Sequence, residues 1–407
     1  MSISKIIKNQ IKNFDTILIA LVLNMNVLRF FLGIYETNLL LYCVYLLCII
    51  VLFSKYHRNV RYLLAQNRKL KRLYIGFCFI MAYAFLSLIW CSSDSGFSSV
   101  IKLIIALLIA GLSTSLGVYK AKMVLIYSGV INFIYGMIIL LSPDRIDGYM
   151  TADVNYLNMT LTLGFIATTC LVCFIASFYE KAISLLTIFM ALLTVLFFAS
   201  LMHFSARGVL LIPPIIAFCV ILLEYRSNKV KSGMLLVLLA FILSFAIAYF
   251  ISNASQLAVS RMTSLFEYTE DEDRLQIWSD ALNGIIDNFW FVFGGGVEAF
   301  KSQNMIYPHN IFIQYLGEYG IWGLSVLLSF LFLCFKGVVR SIKMPVDSKS
   351  RICLYAIMAA FTYYLLTFNK SFSIYEGCPL YLTMTLCFSV VNDIIKSNYG
   401  ISNNNNS

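Results

Sequence analysis

His309 stands at the head of an apolar run, and Asn310, Gln314 and Glu318 follow it at helical spacing. Residues at i, i+4 and i+8 drift only about 80° around a helix, so these three share one flank. At 1.5 Å of rise per residue, Glu318 lies roughly 12 Å below Asn310. Ionisable groups at that depth in a membrane are costly and face a cavity or a partner rather than lipid. An imidazole at the helix head can donate to a phosphate oxygen or take a proton from a hydroxyl. The unpaired N–H groups of the first turn also favour an anion. The structural alternative is that these groups stitch the helix to a neighbour, with Gly317, Gly320 and Gly323 allowing close approach.

Two arginines extend the constellation. Arg207 lies in Ser205-Ala206-Arg207-Gly208, a short turn between apolar runs that follows His203. Its side chain either snorkels to lipid headgroups or presents a planar fork of donors to phosphate. Arg274 lies in Asp273-Arg274-Leu275-Gln276-Ile277-Trp278, where Leu275, Trp278, Ala281 and Leu282 predict a short helix with one apolar face. An arginine at a helix start is poorly placed for the macrodipole, which points to another task. The acids Glu270 to Asp273 resemble a metal-binding pair in pattern, yet they suit the helix N-terminus and a solvated loop better, so no metal or cofactor is expected. Gly294-Gly295-Gly296 lacks the strand, helix and lysine-serine ending of a nucleotide loop and reads as a turn.

These residues must be positioned by membrane-spanning helices. The chain has 407 residues, 60% hydrophobic and only 12% charged, with a mean hydropathy of +0.83, which excludes a soluble globular domain. About twelve apolar runs are long enough to span, near 14–36, 37–54, 73–91, 98–118, 123–142, 156–178, 183–202, 209–224, 233–251, 310–335, 352–368 and 377–395. The first two could form one re-entrant pair. The fold expected is an all-α integral membrane protein: a bundle over 1–251, one large polar loop over 252–309, three further spans over 310–395 and a disordered tail over 396–407. Lys5, Lys8 and Lys12 precede the first run with no cleavage site after it, so it reads as a span rather than a signal peptide.

Loop charge sets the expected orientation. With both termini in the cytoplasm, the outward segments hold only Arg145, Arg207, Arg261, Arg274, Lys301 and Lys370 of the 30 Lys and Arg, while Arg29 and Lys102 fall inside spans. The positive-inside rule then places the large loop away from the cytoplasm. The net charge of +10 is largely the basic run from Lys55 to Arg72, a topology determinant beside anionic lipid rather than a nucleic-acid site. His57, in that run, is expected to be simply solvated. The 11 cysteines read mostly as small apolar residues. Cys170 and Cys173 lack a second ligand pair, and Cys91 and Cys378 lie near outer span ends where they could pair.

The pattern His309-Asn310-x3-Gln314-x3-Glu318-x-Gly320-x2-Gly323-Leu324 resembles the signature of the O-antigen polymerase (Wzy) and O-antigen ligase superfamily. Ser205-Ala206-Arg207-Gly208 resembles its Ser-x-Arg-Gly turn. Asp273-Arg274 with Trp278 and the later glycine turn resemble its arginine-bearing loop helix. Arg145, Gly148 and Asn155 are similar to a further outward segment, with Val154 where a proline is common. The resemblance implies a fold like the C-type glycosyltransferases and a metal-independent transferase of the bacterial inner membrane, active on its periplasmic face. Its donor would be an undecaprenyl-diphosphate-linked oligosaccharide, and a chain-length regulator protein could be a partner besides membrane lipid. It implies Arg207 and Arg274 on the diphosphate and His309 as base or diphosphate contact. Arg145, His203, Asn310, Gln314 and Glu318 would bind and orient substrate. The activity implied is that of a polymerase joining lipid-linked repeat units of O-antigen or a related surface polysaccharide, with a ligase that transfers the glycan to lipid A–core as the alternative on the same residues.

Two other classes fit the hydropathy. A flippase or transporter would place its polar residues at mid-membrane in broken helices, whereas here they cluster at one surface. A non-catalytic scaffold would leave the arginines and histidine idle.

Overall fold

The computed structural model describes residues 13–32, 39–90, 93–141, 156–181, 184–202, 207–225, 227–253, 269–369 and 373–404. They form sixteen α-helices and one 3-10 turn, with no strand among the described residues. The helices are α1 Phe14–Leu23, α2 Met25–Leu32, α3 Leu39–Gln66, α4 Arg68–Ser87, α5 Gly96–Ser113, α6 Gly117–Leu141, α7 Tyr156–Tyr179 and α8 Leu185–Met202. They continue as α9 Arg207–Tyr225, α10 Lys229–Asn253, α11 Thr269–Asp287, α12 Trp290–Phe293, α13 Ala299–Ser302, α14 Ile311–Ile342, α15 Ser348–Phe368 and α16 Cys378–Asn404. Each of the expected apolar runs falls, among the described residues, on a helix or, for the first, on a bent pair. Among the described residues eight helices are long and apolar enough to cross a membrane, or up to nine with a bent pair, and α8 and α9 carry shorter apolar stretches. Backbone groups have no water to bond in lipid, so helices are the form such runs must take.

The sequence expectation needs four corrections here. The bent pair is not the first two runs but the first run alone: α1 and α2 meet at Asn24 and bend by 84°. Asn24 explains the break, because its side chain donates to Ser128 at 2.9 Å and accepts from Asn132 at 2.6 Å on α6. The basic stretch after Lys55 is helical rather than loop, since α3 runs unbroken to Gln66 and Asn67 then caps α4 by accepting from Lys69 and Leu70 amides. In the polar segment the helix begins at Thr269, so Arg274 sits more than a turn inside it. At the C-terminus α16 continues to Asn404, where a disordered tail was expected from 396.

The helices α7, α15 and α16 form the centre of the bundle; most of α3 faces outward with Leu46, Ile50 and Phe53 exposed, as a lipid-facing helix does. The bundle has two chemically different ends. At one, Glu180 holds Arg351 at 3.0 Å and Ser348 at 2.8 Å, Lys231 donates to the Phe178 and Tyr179 carbonyls, and buried Asp15 pairs with Lys55 and Lys120. This is the basic end. The other, here the loop end, carries α11 to α13, residues 88–90 and 93–95 and the 3-10 turn Ile374–Glu376.

Candidate functional site

The site residues come to the loop end by topology. Helix α14 finishes near α15's start at the basic end, so its head, His309 and Asn310, lies at the loop end. Near the end of α9, the Glu224 carboxylate accepts from Tyr355, one turn along α15 from Arg351. The first residue of α9, Arg207, therefore also lies at the loop end, with Gly208 next to it. Arg274 is on α11, and the Trp278 indole one turn further on donates to the Pro308 carbonyl at 2.9 Å. That bond ties the Arg274 helix directly to the residue before His309. At 1.5 Å per residue, the Arg274 Cα lies about 6 Å along the axis from Trp278. Arg145 and His203 lie outside the described residues, as do the acidic turn's neighbours 254–268.

His309 is exposed, with its ring edge-on to Tyr307 at 5.2 Å between centroids. Its φ is +47°, a left-handed conformation that non-glycine residues rarely adopt. Four of the five described non-glycine residues with positive φ, Phe289, Glu298, Asn304 and His309, lie within this one segment. Strain of this kind costs of order 1–3 kcal/mol per residue and persists where surrounding contacts over-determine it. Here they do. Asn310 caps α14, its side chain accepting from the Phe312 and Ile313 amides at 3.0 and 3.2 Å. Ala281, Ile285 and Phe300 form a small apolar core that packs α11 and α13 onto α14, with Trp290 and Leu316 at its margin. The buried face of α11 is thus Trp278, Ala281 and Ile285, and the expected Leu275 and Leu282 are exposed.

Gln314 and Glu318 are fully buried. Gln314 donates to Glu318 Oε1 at 3.1 Å and accepts from the Ile374 amide at 2.9 Å. Tyr375 donates to Glu318 Oε2, and the same hydroxyl accepts from the Glu298 amide at 3.1 Å. Burial pushes the Tyr375 hydroxyl well above its ordinary pKa, as do the Glu318 charge and Tyr319, so it stays a donor. These contacts bind α14, the 3-10 turn and the 297–298 turn into one unit. Of the two readings of this flank, the geometry displays the stitching contacts, with the exposed chemistry confined to the helix head.

The glycines do something other than bring spans together. Gly320, with φ +65°, breaks α14. The carbonyls of Gly317 and Glu318, which the break releases from the helix ladder, accept from Gly295 at 2.7 Å and Gly296 at 3.0 Å. A Cβ on Gly294 would strike the Glu318 carbonyl, and one on Gly320 would strike that of Val292. Gly294-Gly295-Gly296 is therefore an extended strap docked against a broken helix. Beside it, the Glu298 carboxylate accepts from Ser93 and Ser99 at 2.5 Å and from Ser95, with Lys301 at 3.8 Å. Burial opposes ionisation of Glu298, but the three hydroxyls outweigh it and hold the carboxyl below its ordinary value.

Sequence reading missed Tyr375, Glu298 and the three serines. None belongs to a local motif, and their only signal is proximity across nearly 300 positions of chain, which spacing cannot reveal. Cys378 is buried while Cys91 lies outside the described residues; Cys170 and Cys173 pack within α7, the former 3.7 Å from Met190 sulfur. His57 is exposed and stacks on Phe53. Among the described residues no group of three or more His, Cys, Asp or Glu is placed to hold a metal.

Residues 188–328 match the family model of the O-antigen ligase domain. The matched segment contains Arg207, Arg274, His309, Asn310, Gln314 and Glu318 and leaves out Arg145. It bears out the resemblance to the O-antigen polymerase and ligase superfamily and the reading of the chain as an all-helical, multi-pass membrane protein. No curated protein matches the chain.

Proposed function

We propose that the chain polymerises O-antigen or a related surface polysaccharide, joining oligosaccharide repeat units carried on undecaprenyl diphosphate at the periplasmic face of the inner membrane. The observation that carries the reading is the convergence of Arg207, Arg274 and an exposed, conformationally held His309 on one end of the bundle, within the matched segment. In the transfer, a sugar hydroxyl of the acceptor attacks the anomeric carbon of the donor. The glycosyl–phosphate bond breaks and the diphosphate leaves with the electron pair. Guanidinium groups fixed at that position stabilise its developing charge. His309 takes the hydroxyl proton or donates to the diphosphate. Gln314, Glu318 and Tyr375 hold the helix head in place from beneath, and Arg145 and His203, outside the described residues, are assigned to substrate binding by the family resemblance alone.

A second reading, ligation of the glycan to lipid A–core, has the family description in its favour and uses the same site with a different acceptor. Deletion of the gene read by lipopolysaccharide gel separates the two. One repeat unit on core with no ladder means polymerase, and lipid-linked polymer with bare core means ligase. Reporter fusions after Arg72, Arg226 and Lys343 should read cytoplasmic and a fusion at Ser302 periplasmic; the reverse at Ser302 would remove the site from the donor's leaflet. The purified protein should elongate lipid-linked units in the presence of a chelator, because the arginines can balance the diphosphate charge.

A further inference from the structure

Arg29 on α2 and Lys102 on α5 have no place in the site above, yet both lie within membrane-spanning stretches, where a charged side chain costs several kcal/mol unless a partner or a cavity receives it. They line one cavity of about 170 Å³, together with Asn26, Tyr45 and Glu376. At about 30 Å³ per water, that is space for five or six waters, enough for a phosphoryl group. Two cations face a single carboxylate across it, so the charged lining has an excess of one positive charge. Burial raises the Glu376 carboxyl above its ordinary range, and Lys102 and Arg29 are close enough to oppose that rise.

Position narrows the occupant. Tyr375 forms part of the wall, and its hydroxyl is the one that joins Glu318 to the Glu298 turn. The cavity therefore abuts the unit that holds His309, at the loop end of the bundle. The rest of the wall is apolar, from Leu23, Leu41, Leu161 and Phe368. A polar floor with two cations and an apolar flank, at membrane depth, matches a phosphate group on a lipid rather than a free ion in water.

We propose that this cavity binds the phosphate headgroup of the acceptor glycolipid, while the Arg207, Arg274 and His309 end binds the donor diphosphate. This rests on the transferase reading above, which requires two lipid-borne substrates. Arg29 and Lys102 act as binding residues, and the acceptor phosphate is chemically unaltered. Glu376 competes with that phosphate for the two cations, and so sets its affinity.

The test counts undecaprenyl diphosphate bound to the purified full chain by native mass spectrometry, with phosphatidylglycerol as competitor. Wild type should bind two lipids, Arg29→Gln/Lys102→Gln one, and the charge-preserving exchange Arg29→Lys/Lys102→Arg two. Glu376→Gln should bind the second lipid several-fold more tightly, a gain that misfolding cannot produce. Two lipids on Arg29→Gln/Lys102→Gln, weaker binding by Glu376→Gln, or displacement of the second lipid by equimolar phosphatidylglycerol would each overturn the proposal. Loss of the other lipid in Arg207→Ala/Arg274→Ala is expected; its retention would count against the donor site and leave the cavity assignment standing.

Discussion

At the basic end, Arg351 is spent on Glu180, and Lys55 and Lys120 on Asp15. At the loop end, the Arg274 helix is tethered through Trp278 to Pro308, and the next residue, His309, is exposed in a left-handed conformation. The first arrangement neutralises charge locally and holds helices together. The second uses buried polar contacts, Gln314 with Glu318 and Tyr375, to support groups presented at the surface. A cation count alone ranks the basic end as the interesting one. What distinguishes the ends is that the buried contacts of the first close ion pairs, whereas those of the second support an exposed histidine.

That contrast breaks most sharply under substitution of the exposed groups. His309→Ala, Arg207→Ala and Arg274→Ala should each lower chain formation by about 100-fold or more, the loss typical of removing one charge-stabilising donor, with membrane protein level unchanged. Arg207→Lys and Arg274→Lys should also be poor, because an ammonium lacks the two-pronged fork. Full polymer from His309→Ala in a membrane elongation assay would end the catalytic reading of the α14 head. His57→Ala should be silent.

The support beneath should fail differently. Gly320→Ala must place a Cβ against the Val292 carbonyl at φ +65°, so it should destabilise by about 1–3 kcal/mol and disorder the strap, lowering both melting temperature and activity together. Glu318→Gln keeps an acceptor for Tyr375 but turns an amide donor toward Gln314. It should retain much of the activity with a melting temperature lowered by the equivalent of about 1–3 kcal/mol. An inactive yet fully stable Glu318→Gln would make Glu318 an ionised participant rather than a prop.

The basic end should give the smaller, purely structural effect. Arg351→Gln removes a partly exposed ion pair with Glu180 and should cost up to about 1 kcal/mol in thermal unfolding with normal chain formation. The mildest effect is on pH. Glu298's folded pKa is lowered, so its contribution to stability is full above the ordinary glutamate value of 4.5 and fades as pH falls through the lowered one. Melting temperature of wild type should drop more than that of Glu298→Gln below this pH; parallel curves would show that the serine cluster carries no charge-dependent stability.

What the sequence determined by itself follows from short-range physics. Hydropathy runs fixed the helices, because lipid leaves the backbone no other way to satisfy its polar groups. The i, i+4, i+8 spacing placed Asn310, Gln314 and Glu318 on one flank, and the family match over 188–328 takes in the same residues. Boundaries were less legible. The helix α11 starts at Thr269 rather than at Arg274, since acids in a first turn favour the helix they precede. Only the tertiary structure decided which members of that flank face inward, because Gln314 and Glu318 are buried by a turn some 60 residues later in the chain. It alone showed that Gly320 breaks α14 for the glycine strap, and that Arg29, Lys102 and Glu376 share a cavity. Each of these is a contact between segments distant in sequence, and their partners are chosen by packing rather than by spacing.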